Sequence, residues 1–239
     1  PTEPICGLKR APKMSEFERK LLQLRADLNT QGARVSDQLL NAVESSFGGD
    51  ADAANKVVQS DAIIDRVDVE IERACIVLLR LGANDEHSIR SVLTIVKVNN
   101  EFERIADCAV DVAESAMKSE QLIKLAPPTF RVMANSVVGM ARDTNQALAE
   151  ADTELAVRVL SFDDTVSRFR KEIVLDVQHR TSGGNLDPLV AFELLAVTRS
   201  LERIADHCTN ICEQVIYLET GKIVRHSAEG WTSPETPEF

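Results

Sequence analysis

The chain has 239 residues, a formal net charge of −11 and 44% apolar residues. That acidity argues against a nucleic-acid binder, because phosphate backbones recruit Lys and Arg, and the apolar fraction is ample for a packed core. No apolar run approaches the roughly 18 residues of a membrane-spanning helix, and five scattered cysteines with no C-x-x-C pair suit a reducing, cytosolic compartment.

Apolar residues recur at threes and fours, Gly and Pro are sparse, and no alternating strand pattern stands out, so the fold class is all-α. Residues 1–14, "PTEPICGLKRAPKM", read as a tail, partly processed or added, without an apolar stretch long enough for a signal peptide; Met14 is a candidate start. The first helix is expected from about Ser15 to Phe47, opened by a capping box of Ser15 and Glu18. "GGD" at 48–50 stops it and caps a second helix, Ala51 to Leu81, which ends at Gly82. "NDE" at 84–86 opens a third, to about Lys118, and "APP" at 126–128 breaks the chain. A fourth helix runs to about Glu150. Asp152 caps a fifth, to about His179, and "TSGGN" at 181–185 is a loop. Asp187 caps the sixth, with Pro188 in its first turn, and it ends before Gly221. Residues 223–239 read as a polar, mobile tail.

Helices of about 30 residues are about 45 Å long, and short loops between them make antiparallel neighbours. The order of three long helices, a break, then three more predicts two tandem three-helix bundles, over 15–119 and 127–222. An internal repeat supports this. The word "ERIAD" occurs at 103–107 and again at 202–206, an offset of 99 residues. "ANKVVQSD" (54–61) aligns with "AVRVLSFD" (156–163) at an offset of 102. Cys208 and Cys212 lie one turn apart and read as core-facing small hydrophobes.

The repeated word places Glu103 beside Asp107, and Glu202 beside Asp206, one helical turn apart, where like charges repel by a few tenths of a kcal/mol. At about 100° per residue, Glu103, Asp107, Asn100, Asp111 and Glu114 fall within about 80° of one another. Val98, Ile105, Ala109 and Val112 lie roughly opposite. Glu202, Asp206, Asn210 and Glu213 repeat the stripe, and Arg104 and Arg203 sit at its edges. An acidic stripe is commonly a solvated face, but such faces usually interleave Lys at i+4, and these do not. Clustered carboxylates suit a hard cation such as magnesium, manganese, calcium or iron. Asp61 and Asp65 on the second helix, and Asp163 as their counterpart, are possible further ligands; Asp68 and Glu72 extend that second stripe. Asn100, Arg104, Asp111, Arg203 and Asn210 are candidates for supporting the ligands. No phosphate-binding, dinucleotide-binding or nucleophile-elbow motif is present, and His207, His87 and His179 carry little signal for a metal.

"NNEFERIADCAVDVAE" (99–114) and "TRSLERIADHCTNICEQVIYLETG" (198–221) resemble the paired signature of the PhoU family, E(D)-x-x-x-D once per three-helix half. The similarity covers roughly residues 15–222, including "VVQSDAIID" on the second helix. Ala106 and Ala205 stand where the family usually has Gly. The resemblance implies two similar three-helix bundles and metal bound by Glu103, Asp107, Glu202 and Asp206, with iron or zinc, or magnesium or manganese, as the ion. It implies a cytoplasmic negative regulator of phosphate uptake and of the phosphate-starvation response. Such a protein links the transporter ATPase to a sensor histidine kinase, is usually a homodimer, reaches the membrane at most through partners, and is not an enzyme. The alternatives are a ferritin-like di-metal carboxylate enzyme, which would need Glu-x-x-His pairs that the chain lacks, and a purely structural bundle.

Overall fold

The computed structural model describes residues 14–82, 85–118, 120–227 and 230–232. The expected tail at 1–14 lies outside them, apart from Met14. The described residues form seven helices: α1 (Glu16–Gly48), α2 (Ala51–Gly82), α3 (Glu86–Lys118), α4 (Glu120–Leu125), α5 (Pro128–Glu150), α6 (Thr153–Ser182) and α7 (Pro188–Thr220).

The six long helices start and stop where local chemistry directs. Ser15 and Glu18 close a reciprocal capping box, and Gly49 ends α1 in the left-handed region at φ 67°. Asp50, Asp85, Asp152 and Asp187 each accept from a backbone N–H in the first turn of the following helix. Two features differ from the sequence reading. The break at "APP" is preceded by the six-residue α4, which adds a seventh helix among the described residues to the six expected. The C-terminal segment, expected to be a mobile tail, forms a short antiparallel hairpin, β1 (Arg225–Ser227) with β2 (Gly230–Thr232), pairing Arg225 with Thr232. Arg225 anchors it by an ion pair with Glu213 of α7, a carboxylate only 8% exposed.

The helices α1, α2 and α3 pack as one bundle and α5, α6 and α7 as a second; α3 also packs on α7, and α1 on α5. Buried side chains from both bundles join in a single apolar core, from Leu24 and Ile71 through Ile105 and Phe130 to Leu194 and Ile216. Cys75, Cys108, Cys208 and Cys212 are free thiols within it. The α3–α7 seam shows how the halves are related. Asn210 Nδ2 donates to Glu101 Oε2 at 3.0 Å, and Ser200 Oγ donates to Asp111 Oδ2 at 3.2 Å. At the repeat offset, Glu101 is equivalent to Ser200 and Asp111 to Asn210. Each contact is therefore the other's counterpart, as a two-fold axis between antiparallel helices requires.

Candidate metal centre

On α3 the repeated word folds as its spacing requires. Ile105 and Ala106 are buried, while Glu103 and Asp107 point outward with side chains 28% and 45% exposed. On α7, Ile204 and Ala205 are buried, with Glu202 half-buried and Asp206 exposed. The motif acids therefore occupy the outer face and the core holds the apolar side of the same turns.

The antiparallel pairing of α2 and α3 is fixed by Asn99, whose Nδ2 donates to the backbone carbonyl of Asp68 at 3.0 Å and to its Oδ1 at 2.6 Å. That register brings the acidic stripe of α2 against the motif. Loss of solvent raises the Glu103 carboxyl; Asp107, Asp68 and Asp65 push it further, while Arg104 pulls it down. Burial likewise raises Asp61, which accepts from Gln38 Nε2 at 3.2 Å and feels the charges of Asp65 and Asp107. Burial, Glu72 and Asp65 raise Asp68. The first half thus gathers Asp61, Asp65, Asp68, Glu72, Glu103 and Asp107 into one like-charged field. Arg104, the base beside it, lies 3.4 Å from Glu103 and 4.0 Å from Asp107.

In the second half, loss of solvent and then Asp163 and Glu202 push the Asp206 carboxyl up to about 6, against His207 and Arg170. Water screens part of this, because Asp206 stands exposed. Arg170 of α6 binds Glu202 directly, Nε to Oε2 at 2.8 Å. Among the described residues, no three His, Cys, Asp or Glu side chains converge closely enough to hold a metal ion as they stand.

A carboxyl raised in the folded state binds its proton more tightly there than in the unfolded chain, so its ionisation opposes folding. For Asp206 that cost is absent below the ordinary value of 3.8, grows as pH rises towards about 6, and is complete above it. Asp206→Asn is expected to raise the urea midpoint at pH 7 in chelating buffer, and to lose that advantage near pH 4. An equal midpoint shift at both pH values would show that the carboxyl is not raised.

The remaining candidates have other places. Asn100 is exposed on α3. Asp111, Arg203 and Asn210 serve the α3–α7 seam: Arg203 lies 3.9 Å from Asp111, and Asn210 donates to Glu101. Sequence reasoning passed over Glu101, which also meets His207 Nδ1 at 2.7 Å, and Arg170. The signal for Arg170 was present in the repeat, because it stands 102 residues after Asp68.

Comparison with known proteins is consistent along the whole frame. The PhoU domain matches residues 28–116 and again 130–215. The phosphate-specific transport system accessory protein PhoU homolog 1 of Thermotoga maritima is 34% identical over 216 residues, covering 90% of this chain and 93% of that protein. The accessory protein PhoU of Escherichia coli K12 is 29% identical over 213 residues, covering 88% of each. The crystal structure of PhoU from Pseudomonas aeruginosa superposes with a TM-score of 0.80 at 28% identity, over 86% of this chain and all of that one. The phosphate transport system regulatory protein PhoU of Streptococcus pneumoniae shares the fold, with a TM-score of 0.82 at 22% identity, over 88% of this chain and all of that one.

Proposed function

This chain belongs to the PhoU family, and from that footing we propose that it is a cytoplasmic, metal-binding regulator of phosphate uptake and of the phosphate-starvation response. It works as a negative regulator and a non-enzymatic adaptor between the phosphate transporter ATPase and a sensor histidine kinase, and it pairs with a second copy of itself. The observation that carries this reading is the duplicated Glu-Arg-Ile-Ala-Asp turn, displayed outward on α3 and on α7 of a family-matched frame. Its relatives are named as phosphate-transport accessory proteins. No helix among the described residues is long and apolar enough to cross a membrane, which is consistent with membrane association through partners.

The donor set fits a hard cation. It consists of carboxylates alone, the chemistry that magnesium, manganese and ferric or ferrous iron accept. In the first half those carboxylates raise one another's proton affinity, a crowding that a cation would relieve. Glu103 and Asp107 would hold the ion, with Asp61 and Asp65 in the same charged field; Glu202, Asp206 and Asp163 are the equivalent acids of the second half. A bound ion would offset part of the negative charge of this acidic face. The protein's own part is to hold α2 against α3 through Asn99 and to keep the acids outside the core.

The test is the metal content of protein purified without chelator, read by elemental mass spectrometry beside a variant with Glu103, Asp107, Glu202 and Asp206 all changed to Asn. Metal in the parent, and at least tenfold less in the variant, is expected. The same pair of proteins is then offered to the transporter ATPase and the kinase in a pull-down. No metal in the parent, even after incubation with iron, zinc, manganese and magnesium, would leave the acids as direct docking surfaces for basic partner groups. Failure to capture either partner, with or without metal, would end the adaptor reading.

A further inference from the structure

The motifs on α3 and α7 are alike, but the helices that face them are not. The register of α2 and α6 is set by their buried faces. Val57, Ile64, Ile71 and Cys75 are buried on α2, and Val159, Val166, Ile173 and Val177 are buried at the same offset on α6. Carried across at that offset, Asp61 falls on Asp163. Asp65, however, falls on Ser167, Asp68 on Arg170, and Glu72 on Val174. The core positions are apolar in both halves, whereas three of the four acids of α2 have no acidic counterpart on α6.

Arg170 is also engaged. Its guanidinium takes up Glu202 at 2.8 Å, with side chains 39% and 24% exposed. It reaches across from α6 to the motif on α7, where its counterpart Asp68 in the first half adds negative charge to Glu103. A guanidinium is always protonated and presents fixed donors to a carboxylate. It therefore uses the lone pairs a metal would need and leaves a permanent positive charge at the place where a second cation would sit. Arg104, the base beside the first motif, differs in kind. It belongs to the motif's own helix, is half exposed, and lies at longer range from both acids.

We propose that the two halves have parted: the second motif does not fit a metal ion, because Arg170 closes it as a built-in counter-ion, and metal binding is confined to the first motif. This rests on the reading of the first-half carboxylates as cation ligands. The second motif then joins α6 to α7 whatever the metal supply, while the junction of α2 and α3 responds to it. Dependence on metal resides in one half of the molecule.

The full-length chain, stripped with chelator and dialysed, is titrated with manganese(II) and separately with zinc(II). Bound metal is read by elemental mass spectrometry, and folding by circular dichroism. Glu103→Gln with Asp107→Asn is expected to lower bound metal at least tenfold. Glu202→Gln with Asp206→Asn is expected to change it less than twofold. Ser167→Asp with Arg170→Asp, which rebuilds the acid set of α2 on α6, is expected to add a second set of bound metal close in amount to the first. Arg170→Gln alone removes the charge at nearly constant shape and is expected to raise metal uptake even if the double variant folds poorly. Equal losses from the two motif variants would overturn the inequality and leave the metal reading intact. A loss from the second motif alone, or no gain in either α6 variant, would also overturn it. A parent that binds no metal would overturn both.

Discussion

Phe130→Ala is expected to lower the stability of the protein by about 3–5 kcal/mol, the usual cost of emptying a buried aromatic site. Phe130 sits on α5, is 2% exposed, and meets the ring of Phe47 on α1 edge-to-face, with centroids 6.0 Å apart and planes at 66°. Pairs of this kind add about 0.5–1.5 kcal/mol beyond the area they bury. Arg131 lies over the same Phe47 ring, 4.3 Å from its centroid, and would lose its platform's support. The contact crosses from one half to the other, so the loss weakens the joint as well as one bundle. A domain of this kind has about 5–15 kcal/mol to lose. Urea unfolding followed by far-ultraviolet circular dichroism measures the effect. Phe192→Ala, at a side chain 70% exposed, is the control and is expected to cost little. A loss below about 1 kcal/mol at Phe130 would mean that the α1–α5 contact is not part of the stable core.

Gly32→Val is expected to destabilise by about 1–3 kcal/mol, although replacing a mid-helix glycine usually helps. Gly32 lies inside α1 and is buried where that helix meets α3 and α5. A Cβ there would stand 2.5 Å from Cζ of Phe102 and would also overlap the amide oxygen of Asn145. The Asn145 side chain can swing away, but Phe102 is 2% exposed and packed within the apolar core. Leaving glycine gains less than about 1 kcal/mol of helix propensity, so the overlap decides the sign. The urea midpoint should fall. A midpoint equal to or above the parent's would show that α1 and α3 can separate at this point without loss.

What was legible in the sequence was mostly local. Ser15 with Glu18, Gly49, Asp152 and Asp187 each act within one turn of themselves, so the bounds of the long helices could be read directly. The outward placement of Glu103 and Asp107 followed from the period, since Val98, Ile105 and Val112 had to face inward. The six-residue α4 was hidden by the prolines that follow it, and the hairpin at 225–232 by a polar composition that its anchor, Arg225 on Glu213, overrides. The roles of Asp111 and Asn210 needed tertiary information. They share the motif's stripe, but its edge turns into the α3–α7 seam, where they meet Ser200 and Glu101. Nothing on α3 alone distinguishes an acid facing water from one facing a helix 90 residues further along the chain. Glu101 was invisible for the same reason, as its partners His207 and Asn210 come from the other half.

The paired contacts Glu101–Asn210 and Asp111–Ser200 describe a surface complementary to itself. A protein of half this length carrying that surface would close upon its own copy, and its stability would depend on concentration. Joining the copies in one polypeptide removes that dependence, because the partner is always present at high effective concentration. It also lifts a restriction. Two identical subunits must carry identical acids, so neither could exchange an aspartate for an arginine without the other doing the same. Tandem fusion is what lets Asp68 and Arg170 stand at equivalent positions of one molecule.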